Sequence, residues 1–153
     1  MSERIDEDTF AVVVRNAPLV SIDLMLRDPE GRIFLGRRNN EPAKGMFFVP
    51  GGVIRKNETL DAAFRRILAA ETGLAGERSG ARLMGAYEHL YPTNRYGDPA
   101  YGTHYVVLAH EIVFAQRPDI RLDKQHSEFR WMSDAEVLAS GEVHENTKAY
   151  CRR

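Results

Sequence analysis

The sequence predicts an α/β domain in which a mixed β-sheet is sandwiched between α-helices. Three observations predict it. Short apolar-rich strand patterns are interleaved with separated helical ones, two long strand patterns flank a turn-rich segment, and one central helix is specified by both of its caps. The 153 residues, 43% of them hydrophobic, suffice for one core and match the usual size of a single domain. Residues 1–153 are therefore expected to form one domain.

The elements follow in order. Residues Asp8 to Asn16 place Phe10, Val13, Val14 and Ala17 at near-helical spacing, and Pro18 stops that entry helix. Val20 to Leu26 and Ile33 to Gly36 read as strands joined through the turn Asp28-Pro29-Glu30-Gly31, a β-hairpin. A short strand, Met46 to Val49, runs into Pro50-Gly51-Gly52. From Thr59 to Thr72, Leu60, Ala63, Phe64, Ile67 and Leu68 share one helical face, with Thr59 as N-cap, Asp61 in the first turn and Gly73 at the C-cap. Arg82 to Tyr91 and Thr103 to Phe114 read as long strands, and the loop between them is long enough to suggest function. Phe129 to Met132 reads as a last strand, before short helices at Asp134 to Ala139 and Glu145 to Arg152.

Composition removes several functional classes. Lys plus Arg number 21 against 22 Asp plus Glu, so no overall positive field recruits nucleic acid or anionic membrane, and any phosphate binding is local. The first ten residues lack the order of a secretory signal and no apolar run is long enough to span a bilayer, so a cytoplasmic location is expected. Cys151 has no partner cysteine and, standing among charged residues, reads as an incidental surface thiol.

The segment from Gly52 to Leu74 carries the chemistry. Glycines let a loop backbone approach a ligand, and its carbonyls are hard oxygen donors for Mg²⁺. Positions 67, 70 and 71 lie three and four residues apart on the following helix, where glutamates could collect several cations around a diphosphate. Only Glu71 is a carboxylate here; Ile67 and Ala70 are not. One carboxylate with neutral oxygens suffices for one Mg²⁺, which neutralises a leaving diphosphate but organises a nucleophile poorly. The attacked atom is thus expected not to be phosphorus, with the base elsewhere. Glu58, near the helix N-terminus, is placed to pair with Arg66.

Gly52, Glu58, Arg66, Leu68, Glu71, Gly73 and Leu74 resemble the Nudix hydrolase signature, G-x5-E-x7-R-E-U-x-E-E-x-G-U, departing at Ile67 and Ala70. The same two gaps, with FAVVVRNAPLVSIDL, FLGRRNNEPAKGMFFVPGG, THYVVLAHEI and DKQHSEFRW, resemble the GDP-mannose mannosyl hydrolase branch. That resemblance implies a Nudix fold and inverting attack of water at the anomeric carbon of GDP-mannose, or of GDP-glucose, releasing GDP and free sugar. It implies Mg²⁺, with Mn²⁺ as the alternative ion, held by Glu71, Gln125 and the Gly51 carbonyl, with His126 as general base. It also implies a homodimer.

Further roles follow from the same likeness. Arg38 and Arg66 are candidates for the departing diphosphate, Tyr105 matches a tyrosine that reaches it, and Asp23 and His89 correspond to positions near the sugar. His104, His110 and His144 receive no active role. Val53 stands where the branch often has arginine, and Arg55, two residues on, is placed to substitute. Two other readings stand beside this one: a pyrophosphohydrolase acting at phosphorus, and a non-catalytic nucleotide-sugar-binding module.

Overall fold

The computed structural model describes residues 4–121 and 126–152, with the side chains of 126 and 127 outside that description. The helices are α1 (Glu7–Asn16), α2 (Leu60–Thr72), α3 (Asp134–Ala139) and α4 (Glu145–Lys148). The strands are β1 (Leu19–Arg27), β2 (Ile33–Arg38), β3 (Phe47–Phe48), β4 (Gly51–Val53), β5 (Arg82–Tyr91), β6 (Thr103–Val113) and β7 (His126–Met132). Single 3₁₀ turns occupy Arg78–Gly80 and Ala149–Cys151.

The seven strands form one mixed sheet. β1 runs parallel to β6 over its whole length, while β5 returns antiparallel along the far side of β6. Antiparallel to β1 run two different strands: β2 meets it at Arg27, and β4 meets it at Ser21 to Asp23. β1 is therefore shared by two arms, one ending at Arg38 of β2 and the other starting at Gly51 of β4. β2 also pairs with β3 and, antiparallel along its length, with β7.

Alternation along β1 explains the layers. Ile22, Leu24 and Leu26 project into a core with Phe34 and with Ala63, Phe64, Ile67 and Leu68 of α2. Met25 faces the other way, into a core with Ile33, Leu35, Phe47, Ala109, Val137, Val143, Tyr150 and Cys151. Each fully buried large apolar side chain contributes about 1.5–3 kcal/mol. The sheet is thus covered on both faces, as the pattern of elements predicts.

Several boundaries differ from the sequence reading. Pro50-Gly51-Gly52 looks like a turn, yet Gly51–Val53 is a strand because β1 offers it an edge. The segment read as one helix from Glu145 to Arg152 is an α-helical turn followed by a 3₁₀ turn. Cys151 corrects the surface-thiol expectation: it is buried in the second core, and burial lifts its pKa to about 12. Arg152 beside it is exposed while the turn carries the sulfur inward. Among the described residues no helix is long and apolar enough to cross a membrane.

Candidate active site

α2 forms where the sequence places it. Thr59 caps it by accepting a hydrogen bond from the Ala62 N–H, and Gly73 closes it in the left-handed conformation, φ 74°, with its N–H on the Ala69 carbonyl. The loop leading into it is fastened by charge. Arg66 donates from Nε to Glu58 Oε2 at 2.7 Å and from Nη2 to Glu58 Oε1 at 2.8 Å, and Nη2 also reaches the Val53 carbonyl at 2.8 Å. Glu58 Oε1 also accepts the Arg55 N–H at 3.0 Å. The Arg66 guanidinium holds the Glu58 carboxyl down at about 2, against burial. Arg66 therefore braces the glycine loop, so any influence on a departing diphosphate passes through the loop it holds. Arg55 lies in that braced loop, beyond Val53.

The motif's gaps have distinct physical characters. Ile67 is 1% exposed, and a Cβ built on Gly52 would stand 3.1 Å from its Cγ1. Ala70 is exposed and Glu71 is half-buried. Glu71 follows Ile67 by one helical turn, so the two lie on one face of α2, and Ile67 packs against Gly52 of β4. A carboxylate and a backbone carbonyl are hard oxygen donors, and this set fits Mg²⁺ better than a softer ion. Gln125, expected as a third ligand, lies outside the described residues.

On the other side of Gly51 stands Asp23. A Cβ on Gly51 would fall onto Asp23 Oδ1 and within 2.8 Å of the Ile22 carbonyl oxygen, so only glycine lets the two strands close here. Asp23 Oδ2 accepts a hydrogen bond of 2.6 Å from the Tyr150 hydroxyl, which lies 3.3 Å from His89 Nε2. Burial raises the Asp23 carboxyl to about 6 against the pull of Tyr150 and Arg38. Burial, aided by nearby His144, lowers His89 to about 4, so its ring is neutral near pH 7. Burial pushes the Tyr150 hydroxyl far up, with the Asp23 charge adding to it, and Tyr150 keeps its proton.

The remaining wall is aromatic. On β5, Tyr91 follows His89 by two residues and shares its face, with ring centroids 6.3 Å apart. Tyr91 packs against Tyr105 of β6 at 6.0 Å and against His144 at 5.3 Å, and His144 stacks on Phe48 at 4.9 Å. Arg38 lies 5.6 Å over the Phe48 ring, and its charge acts on Asp23, Tyr91 and Tyr105. Across β2 and β7 the backbone of His126 is in register with Arg38, although its side chain is outside the description.

Asp23, Arg38, His89 and Tyr105, picked out in sequence, thus converge with Gly51, whereas Arg66 faces the loop. Sequence reasoning missed Tyr91, His144 and Tyr150. Two-residue spacing from His89 could have found Tyr91; nothing local marks the other two.

The fold is an α/β domain in which a glycine-bearing strand and loop are braced against the helix that follows them. Residues 17–152 match the NUDIX domain family, and the chain belongs to it. It is 39% identical over 127 residues to the low-salt glycan biosynthesis protein Agl8 of Haloferax volcanii, covering 83% of this chain and 78% of that protein. It is 29% identical over 120 residues to an RNA pyrophosphohydrolase of Caulobacter vibrioides, covering 72% and 69%. Its fold is shared with a MutT NUDIX hydrolase from Burkholderia pseudomallei, at a TM-score of 0.71 and 24% identity over 89% of this chain and 97% of that one.

Proposed function

We propose that this Nudix hydrolase cleaves a nucleoside diphosphate sugar, GDP-mannose first and GDP-glucose second, between the anomeric carbon and the phosphate oxygen. The observation that carries this reading is Ile67. Where the motif has a glutamate, a buried isoleucine packs under Gly52, so this helix face cannot gather the carboxylates needed to organise water around phosphorus. The likeness to a glycan biosynthesis protein supports a sugar-bearing substrate.

In this reading Glu71, the Gly51 carbonyl and Gln125 hold Mg²⁺, which when bound offsets charge on the diphosphate. Arg38, beside Tyr105, binds the diphosphate, and Arg66 keeps the loop in place. Asp23 and His89 face the sugar, where a carboxylate stabilises the positive charge that grows as the glycosidic bond breaks. His126 takes the proton of a water attacking from the face opposite the diphosphate, which inverts the anomeric centre. A homodimer, a cytoplasmic location and action as a single domain belong to the same reading.

The pyrophosphohydrolase reading draws on the likeness to the Caulobacter protein. Hydrolysis of GDP-mannose in ¹⁸O-labelled water separates the two. Label in the sugar, with GDP as co-product, is expected; label in phosphate, with a mononucleotide released, overturns the proposal.

A further inference from the structure

Tyr150 sits in the 3₁₀ turn Ala149–Cys151. Its ring meets Tyr87 edge-on at 4.8 Å and separates the polar cluster from a cleft of about 400 Å³ lined by Arg27, Arg82, Glu111 and Arg152. Those guanidiniums are already engaged by Glu111, Asp134 and Glu145, so the cleft offers no uncompensated cation. The Tyr150 hydroxyl is what reaches the site.

A phenol carries one proton, and an ionised carboxylate can only accept. At 2.6 Å from Asp23 Oδ2, that proton belongs to the bond with Asp23. The contact of 3.3 Å to His89 Nε2 is then a hydrogen bond only if Nε2 is the donor and the phenol oxygen the acceptor.

We infer that Tyr150 is a positioning residue that fixes the Asp23 carboxylate through Oδ2 and holds His89 as its Nε2–H tautomer. The hydrogen bonds run one way, from His89 Nε2–H to the Tyr150 oxygen and from Tyr150 O–H to Asp23. Among the described residues, two acceptors remain at the ends of this chain: Asp23 Oδ1, lying over Gly51, and His89 Nδ1. Such a pair suits a ligand that presents hydroxyl donors. The functional consequence rests on the reading of Asp23 and His89 as the sugar-facing groups, whereas the tautomer does not.

The test combines ¹⁵N NMR of the histidine rings near neutral pH, with His89 assigned by loss of its signals in His89→Gln, and steady-state kinetics of Tyr150→Phe on GDP-mannose. Phenylalanine keeps the ring against Tyr87 and removes only the hydroxyl. The expected result is a protonated Nε2 and an unprotonated Nδ1 in the native protein, with that preference lost in Tyr150→Phe. kcat of the variant should fall about 10- to 100-fold, with KM within about threefold of native. A native His89 protonated on Nδ1, a variant that keeps the Nε2–H preference, or a folded variant with native kcat overturns the inference. If Tyr150→Phe does not fold, the native tautomer alone decides. If the native protein fails to hydrolyse GDP-mannose, the substrate reading falls while the NMR comparison still judges Tyr150.

Discussion

Glu58 meets Arg66 across eight positions of sequence, whereas Asp23 meets Tyr150 across 127. Both are short, charge-assisted contacts at the edge of a core, yet they hold different things. The first pins a loop to the helix that follows it, and both partners lie within one motif. The second joins the first strand to the last turn and exists only when the sheet and its covering helices have assembled. A local pair of this kind stabilises an element; a distant one fixes side chains of separate elements relative to each other. Substitutions in the two regions should accordingly be read out by different measurements.

The largest effect is expected at the distant contact. Asp23→Asn should lower kcat about 100- to 1,000-fold on the best nucleotide sugar, with the thermal midpoint moved little, because the change removes charge and keeps volume. An unchanged kcat would remove Asp23 from the reaction and with it the contrast. Next comes Arg66→Ala, which leaves the Glu58 carboxylate, only 3% exposed, without its guanidinium. Urea unfolding should show a loss of about 3 kcal/mol.

Acid probes the same pair. The Glu58 pKa is depressed from 4.5 to about 2, so its contribution is fully present above the unfolded value and is lost as pH falls through that window. The native protein should lose up to about 3 kcal/mol there, and Arg66→Ala should show a flatter profile over the same range. Equal slopes would mean that the pair does not govern the acid limb. The smallest expected effect is Thr59→Ala, about 1 kcal/mol for the lost N-cap, with kcat close to native.

What could be read in advance follows the same division. α2 was legible because its apolar spacing, its Thr59 cap and its Gly73 stop all lie within one stretch of chain. The Arg66–Glu58 pair was legible for the same reason. β4 was not, since Pro50-Gly51-Gly52 has the composition of a turn and becomes a strand only against β1. Asp23, Arg38, His89 and Tyr105 could be named, but their convergence depends on β1 lying parallel to β6 and on β5 pairing His89 with Tyr105. Tyr150 and Cys151 illustrate the limit most plainly. A short amphipathic segment reveals that it packs, while which part of the sheet receives it is decided by everything that precedes it.

Gly51 gives the two regions a shared boundary. Its missing side chain is the space in which Asp23 Oδ1 rests, and its backbone belongs to the loop that Arg66 steadies. The two positions are therefore not independent letters of the sequence. A lineage that placed any larger residue at 51 would first have to surrender the carboxylate at 23, so these two positions can drift only together.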